Sequence, residues 1–410
     1  MKQRVFRALA ALLAILLPLV AAAPVFAADP PAAAPADLAD PAGGVVGIAA
    51  RGVWTAYPEN SLEGLLAVKE TGLTYVLADV SRTADGALVL LPADGAKRML
   101  GAGEEAVSAL TKEELLSLPM KNRLGGAANG VTEYRVSALA DALPALTGAG
   151  LTPVLQFDVS IAADVLAATE GTAAVLFPTG REKDVKAFAQ QNAAARPVLT
   201  AIRSNVIFTV TSFTDDMKAA GALGVNLKTT NRYGVNFYRS TLKRFDTLRA
   251  VADCTDRETA GWRDDTVKWW DDLISRGYSV IITDDPAAFG AYLTDAAAAR
   301  ARLQTLYTYA TKEAKLPAFN GEILNDYEKA YHDGVNGAKA LLDDASASLQ
   351  DLRDAYTALN TALKTIELNY EAIESGAAGK TVTLPRILLC VAFAAAVVVV
   401  QIYFFKRRKK

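Results

Sequence analysis

Short apolar strands alternate with amphipathic helices across residues 43–294, which predicts an α/β fold whose parallel strands close into a (β/α)8 barrel. Two further observations limit that barrel. Beyond Leu293 the apolar residues recur only at helical spacing, and Ile387–Phe405 is an uncharged apolar stretch of 19 residues. The sequence therefore predicts a TIM barrel, then a three-helix module at 295–372, and one C-terminal transmembrane helix.

The first βα unit has the clearest signals. Val45–Ala50 is an apolar run between glycines, typical of a strand buried on both faces. A helix follows, with Ser61 as its N-cap and Gly72 at its C-terminal end, and Tyr75–Val80 is the second strand. This order is one βα unit leading into the next.

The later barrel elements follow the same rules. Short apolar runs predict strands at 87–91, 153–159, 175–177, 206–210, 225–227, 249–254 and 278–283. Apolar residues at helical spacing predict helices at 111–118, 137–146, 183–191 and 266–276. The first of these helices begins with the capping-box-like sequence Thr-Lys-Glu-Glu.

Both ends of the chain carry membrane signals. Basic residues precede an apolar run at 8–23, so residues 1–27 are predicted to be a cleaved secretory signal, with an uncleaved anchor as the alternative. Residues 28–42 read as a flexible leader and 373–386 as a juxtamembrane linker. The basic tail 406–410 follows the helix predicted at 387–405 and is expected to stay in the cytoplasm. We therefore expect a single-pass protein of the cell membrane, with its C-terminus inside and its barrel extracellular.

Charge and cysteine content narrow the classes of partner and fold. The 43 basic residues include three in the predicted signal and six from Arg386 onward, which leaves 34 against 45 acidic residues, a net charge of −11. An acidic surface argues against a nucleic-acid partner. Cys254 lies in the barrel and Cys390 in the predicted membrane helix, so no intramolecular disulfide is expected.

Several short motifs resemble the glycerophosphodiester phosphodiesterase family. The matching segments are Arg51-Gly52, Pro58-Glu59-Asn60-Ser61, Asp79-Val80, Asp85-Gly86 and the closing Ile281-Ile282-Thr283-Asp284-Asp285-Pro286. The resemblance implies a site at the C-terminal ends of the strands, where two histidines act as acid and base. It also implies a divalent ion held by three carboxylates.

The same resemblance shows where this chain departs from the family pattern. The two histidine positions fall on Ala50 and Pro92, and the first metal carboxylate falls on Leu77. Asp79 remains, and Asp158 stands where the third strand of the family carries a glutamate. We expect either no cofactor or a Mg²⁺ or Ca²⁺ ion bound weakly by these two carboxylates.

Other residues near these motifs have more than one interpretation. By resemblance, Arg51 would bind a phosphate oxygen and Glu59 would orient it, or both would belong to a hydrogen-bonded corner that holds the first loop. Asp94 is the nearby carboxylate that would replace a missing acid. His332, the single histidine of the chain, lies in the helical region and is expected to be solvated. Trp54 and Tyr57 either stack on a ligand or pack on the barrel.

These observations favour a membrane-anchored surface protein whose barrel is catalytically inactive and binds a ligand or partner at the cell envelope. The ligand stays open between a glycerophosphodiester, a glycan and a protein. The alternative is a residual or altered phosphoric diester hydrolase acting on glycerophosphodiesters or a related envelope polymer. In a third reading the barrel is a spacer. The helices at 295–372 resemble small modules of bacterial surface proteins, or form a plain stalk.

Overall fold

The structure, a computed structural model, describes residues 38–41, 43–103, 106–195, 197–203, 207–228, 239–245, 247–255, 265–314 and 325–374. They belong to one compact unit, 36–410. The predicted signal 1–27, the transmembrane segment 387–405 and the basic tail lie outside the described residues. Within the ranges given above, no helix is both long enough and apolar enough to cross a membrane.

The strands of the described chain build one main sheet and one small one. They are β1 Val46–Ala50, β2 Tyr75–Arg82, β3 Leu88–Leu90, β4 Pro119–Lys121, β5 Val131–Arg135, β6 Thr152–Asp158, β7 Val175–Thr179, β8 Leu199–Arg203, β9 Gly224–Lys228, β10 Arg249–Asp253 and β11 Val280–Thr283. Eight of them pair in parallel in the order β7-β6-β2-β1-β11-β10-β9-β8. A parallel bridge between Leu176 and Val198 brings the two ends of this order together. The result is a nearly closed eight-stranded barrel, which confirms the predicted (β/α)8 fold.

Helices follow most of the barrel strands, as the sequence predicts. The described helices are α1 Leu62–Leu66, α2 Gly95–Leu100, α3 Lys112–Ser117, α4 Leu139–Gly148, α5 Ala162–Ala168, α6 Glu182–Asn192, α7 Ile207–Ala220, α8 Arg239–Leu242, α9 Val267–Arg276, α10 Pro286–Thr294, α11 Ala296–Thr308, α12 Asn325–Asp343 and α13 Leu349–Glu374. Ser61 caps α1 through its side chain, and Thr111 forms a complete capping box with Glu114 at α3. These local signals correctly predicted where both helices begin.

One predicted element is wrong. The run at 206–210 was expected to be a strand because it is rich in β-branched and aromatic residues, but α7 starts at Ile207 and the strand lies earlier, at β8. Val210, Phe213 and Met217 are buried at helical spacing against the barrel. Burial of this stripe outweighs the intrinsic strand preference of the run.

The core has two layers on either side of the barrel wall. Inside the barrel, alternate strand residues such as Ile48, Leu77 and Phe177 form one cluster, and a second, larger cluster lies between the strands and the helices. Leu38 belongs to the inner cluster and is 2% exposed, so the end of the region predicted as a flexible leader packs on the barrel. The buried Arg249 donates hydrogen bonds to the carbonyls of Gly43 and Gly44 and holds this segment.

The last three helices, α11 to α13, share their own core and also contact the barrel wall. Tyr356 of α13 donates a hydrogen bond to the carbonyl oxygen of Ile274 at 3.1 Å, and Arg353 donates one to the carbonyl of Leu293. The guanidinium of Arg302 on α11 lies 4.3 Å from the ring centre of Tyr292. The helices are therefore fixed to α9 and α10 by polar and cation–π contacts.

Candidate functional site

Polar side chains gather at the C-terminal ends of β2 and β6, on the face where barrel enzymes place their sites. They open on a cavity of about 550 Å³. Its lining residues are Asp79, Val80, Ser81, Arg82, Pro92, Ala93, Val107, Ser108, Gln156, Phe157, Asp158, Ser160, Ile161 and Thr179. The fold thus brings Asp79, Asp158 and Pro92, three positions that sequence reasoning singled out, to one space.

Asp79 is the most constrained group of the cavity. Its Oδ1 accepts a hydrogen bond from Nε2 of Gln156 at 2.9 Å, and its Oδ2 accepts one from Nδ2 of Asn60 at 3.1 Å. Its backbone N–H donates to Oδ1 of Asn60 at 2.8 Å. Burial raises the pKa of the Asp79 carboxyl above its ordinary value, against the opposing charge of Arg51 and the two amide bonds. Two neutral amides therefore occupy both oxygens of this carboxylate.

Register explains how Gln156 reaches Asp79. The parallel pairing of β2 with β6 sets the two residues opposite each other, and Asp158 lies two residues further on the same face of β6. Asp158 is exposed, and its Oδ1 accepts a hydrogen bond from the backbone N–H of Ser160 at 2.9 Å. One carboxylate of the cavity is thus enclosed, and the other is open to solvent.

The loop after β1 is a tightly bonded corner. Arg51 and Asn60 both have positive φ, 60° and 59°, in the left-handed region that residues with a side chain seldom adopt. The N–H of Arg51 donates to the carbonyl of Leu77 at 2.8 Å, and the N–H of Asn60 donates to the carbonyl of Arg51 at 3.0 Å. This strained backbone is held by its own hydrogen bonds and aims the Asn60 amide at Asp79.

Arg51 is committed to carboxylates of the protein itself. Its Nη2 donates to Oδ1 of Asp284 at 2.6 Å, and its Nη1 lies 3.6 Å from Oε2 of Glu59. Trp54 donates from Nε1 to the same oxygen of Asp284 at 3.1 Å. Burial opposes the charge on Arg51, but the nearby carboxylates outweigh it and raise the pKa of the guanidinium. The geometry supports the interpretation of this segment as a hydrogen-bonded corner.

Glu59 lies under that corner and is fully buried. Arg98 of α2 donates hydrogen bonds both to Oε1 of Glu59 and to the carbonyl of Leu124. No hydrogen bond reaches Oε2 of Glu59 within the described part of the chain. Burial raises the pKa of the Glu59 carboxyl above its ordinary value, and the charges of Arg98 and Arg51 oppose that rise.

The positions that correspond to catalytic groups by resemblance are apolar in different ways. Ala50 and Leu77 are register partners on β1 and β2, 1% and 4% exposed, and belong to the cluster inside the barrel. Pro92 lines the cavity. Asp94 is exposed at the start of α2 and is not among the residues that line the cavity. The fold therefore separates Asp94 from Asp79 and Asp158.

The remaining candidates lie away from the cavity. Tyr57 meets Tyr134 edge to face with ring centres 5.7 Å apart, and Trp54 is bonded to Asp284, so both aromatic residues of the first loop pack on the protein. His332 is exposed on α12 beside Tyr331. Cys254 is a buried free thiol.

Sequence reasoning missed several residues that complete the site. Gln156 had a signal, since it is the polar residue in an otherwise apolar strand, and Asp284 stands in the closing motif. Arg98 had none, because nothing in its local sequence indicates a partner 39 residues away.

The donor set does not fit the divalent ion that the family resemblance implies. Hard cations need several oxygen ligands, whereas both oxygens of Asp79 already accept amide hydrogen bonds and Leu77 replaces a ligand with a buried hydrocarbon. Among the residues that the structure describes, no group of three or more His, Cys, Asp or Glu side chains is arranged to hold a metal. We derive no chemical step through a metal.

Comparisons with known proteins agree with the fold. The Glycerophosphoryl diester phosphodiesterase family matches residues 51–288. No curated protein matches the chain. Among solved structures, the chain is similar to a glycerophosphodiester phosphodiesterase from Thermotoga maritima (15% identity, TM-score 0.47, 60% of this chain and 96% of that one). It is also similar to an Oleispira antarctica phosphodiesterase solved in complex with the product sn-glycerol-3-phosphate (15% identity, TM-score 0.46, 60% and 94%). A third similar structure is an Agrobacterium tumefaciens glycerophosphodiester phosphodiesterase (17% identity, TM-score 0.44, 60% and 99%). Because the family match spans more than half of the chain, this protein belongs to the glycerophosphoryl diester phosphodiesterase family.

Proposed function

We propose that this protein is a non-hydrolytic member of its family that binds a ligand at the barrel mouth, on the outside of a cell to which it is anchored. The observation that carries the proposal is the environment of Asp79. The Asn60 and Gln156 amides donate to both of its oxygens, where a hydrolytic site would need a cation.

Proton transfer is the second missing function. A phosphodiester is cleaved only if a base activates the nucleophile and an acid protonates the leaving alkoxide. Ala50 and Pro92 carry no proton that can be exchanged at these positions, and Asp94 lies off the cavity. Each lost acid or base costs about 10²- to 10⁴-fold in rate, so the loss of both leaves very little turnover.

Charge neutralisation is also missing. Arg51 is engaged by Asp284 at 2.6 Å and by Glu59 at 3.6 Å, so binding a phosphate oxygen would require breaking an ion pair that is largely shielded from water. The guanidinium therefore acts as a brace between β1 and β11 and holds the first loop in its strained conformation.

The cellular setting of this proposal comes from the ends of the chain. The predicted secretory signal, the apolar segment 387–405 and the tail KRRKK place the barrel outside the membrane with a membrane anchor. The partner at that surface is an envelope ligand, either small or part of a polymer.

A second candidate is a residual or altered phosphodiesterase. It is favoured by the convergence of Asp79, Asp158 and Pro92 on one cavity, since that is where the family chemistry would take place. A histidine restored at position 92 would face the same space as both carboxylates.

The experiment is an assay of glycerophosphodiester hydrolysis by the purified full-length protein in detergent, with Mg²⁺, with Ca²⁺ or with a chelator. We expect no release of sn-glycerol 3-phosphate above the buffer rate. The triple variant Ala50→His, Leu77→Glu, Pro92→His tests whether the ancestral pocket survives. Turnover by the unaltered protein that needs a divalent ion and disappears in Asp79→Asn would overturn the proposal in favour of the second candidate.

A further inference from the structure

We infer that the cavity at the barrel mouth selects an uncharged, hydroxyl-rich ligand, a neutral sugar or glycan, over an anionic phosphodiester. The inference deepens the proposed function and rests on it, because a hydrolytic site of this family would have to accept the anion. It follows from the charges, the hydrogen-bonding groups and the size of the cavity.

The first step concerns charge. The described lining of the cavity holds two carboxylates, Asp79 and Asp158, and one guanidinium, Arg82. Nη1 of Arg82 lies 2.9 Å from Oδ2 of Asp164 in an exposed ion pair, so its charge is already balanced outside the cavity. A phosphodiester would bring a negative charge beside two carboxylates without an uncommitted cation, and such like-charge contacts cost several kcal/mol.

The second step asks whether Arg51 compensates. It is not part of the lining, and Asp284 and Glu59 together balance its charge. To serve an anionic ligand, Arg51 would have to leave Glu59, which is fully buried and pairs otherwise with Arg98. Uncovering a buried carboxylate in this way is more costly than leaving the anion in water.

The third step concerns hydrogen bonds. Asp158 is exposed and uses one oxygen for the N–H of Ser160, which leaves acceptor capacity on both oxygens for hydroxyl donors. The hydroxyls of Ser108 and Ser160 line the cavity and make no hydrogen bond within the described residues. A hydroxyl-rich ligand can donate to the carboxylate and accept from these hydroxyls, and charge-assisted bonds of this kind are the stronger ones.

The fourth step concerns shape. Apolar side chains, including Pro92, Phe157 and Ile161, alternate with the polar ones around the cavity. Sugars present C–H faces as well as hydroxyl edges, so a mixed lining suits them better than a purely polar one. The volume of about 550 Å³ is within the range of about 300–1,000 Å³ typical of small-molecule sites. The bound group is therefore of small-molecule size, either alone or as one part of a longer glycan.

The test applies the full-length protein in detergent to an array of neutral mono- and oligosaccharides, each paired with a counterpart that carries a phosphodiester substituent. We expect capture by at least one neutral member, with its phosphodiester counterpart bound about tenfold or more weakly because of like-charge repulsion. Silence of every neutral member, or stronger capture of the phosphodiester counterparts, overturns the inference.

A variant pair links the result to the cavity. In Asp158→Asn, affinity for the neutral glycan should fall about five- to tenfold, because a charge-assisted hydrogen bond becomes a neutral one. Binding of the phosphodiester counterpart should rise. Asparagine still accepts the Ser160 N–H, so the fold should persist. Asp141→Asn, an exposed aspartate on α4 outside the cavity, is the matched control and should change neither affinity. Equal effects of the two variants would refute the assignment.

The outcomes also separate this inference from the proposed function. Release of sn-glycerol 3-phosphate by the same preparation would overturn the proposed function, whatever the array shows. Phosphodiester capture without turnover would overturn the selectivity alone and leave a binding barrel of different specificity.

Discussion

Replacing Arg98 by methionine should expose the cost of the buried Glu59 carboxylate in a way that depends on pH. Arg98 donates to Oε1 of Glu59, which is fully buried, and Arg51 remains 3.6 Å from Oε2. Removing one partner of a buried ion pair costs about 3–5 kcal/mol. The Arg98 side chain is 35% exposed and Arg51 still compensates in part, so we expect a loss of about 2–3 kcal/mol at pH 8.

The sign of the pH dependence follows from burial. Burial already raises the pKa of Glu59 in the folded state, and Arg98 is the largest opposing influence, so the variant should raise it further. A group whose pKa is raised on folding adds stability below its unfolded pKa and loses that contribution as the pH rises through its folded pKa. Acidification from pH 8 to pH 5 should therefore protonate Glu59 in the variant and reduce the loss to about 1 kcal/mol, the value of one hydrogen bond.

The assay is urea denaturation of the wild-type protein and the variant at both pH values, read as the difference in free energy of unfolding. Arg82→Met is the matched control. It breaks the exposed pair with Asp164, whose side chains are 47% and 42% exposed, and should cost less than about 1 kcal/mol at either pH. If Arg98→Met costs no more than Arg82→Met, or costs the same at pH 5 and pH 8, the reasoning about the buried carboxylate is refuted.

Three further predictions follow from other parts of the structure. Asn226 on β9 is 1% exposed with no hydrogen-bond partner for either side-chain polar atom among the described residues, so Asn226→Leu should raise the free energy of unfolding by about 1–3 kcal/mol; a lower value in urea denaturation would contradict this. Arg302→Met removes the guanidinium over the ring of Tyr292 and should lower the stability of the full chain by about 1–2 kcal/mol in thermal unfolding; an unchanged midpoint would show that this contact does not brace the helices on the barrel. Protease added to intact cells should digest the barrel and spare an epitope in the tail 406–410, whereas a protected barrel would refute the predicted topology.

Local signals in the sequence determined much of the fold. The capping residues Ser61 and Thr111 mark helix starts that the structure reproduces, and the apolar runs at 45–50 and 278–283 lie within a residue or two of β1 and β11. Such signals act between residues a few positions apart, so they can be read without knowing the fold. The strand expected at 206–210 is wrong for the complementary reason, because burial against the barrel makes that run a helix.

The site shows the same division more sharply. Sequence alone identified Arg51, Glu59 and Asp79 as the residues around which any chemistry would be built. Only the tertiary structure decided what each of them does, because their partners are distant in the chain: Asp284 lies 233 residues from Arg51, Gln156 77 from Asp79, and Arg98 39 from Glu59. A charged side chain has no fixed role until the fold sets its neighbours and removes water, since burial and pairing together decide whether it binds a ligand or braces the protein.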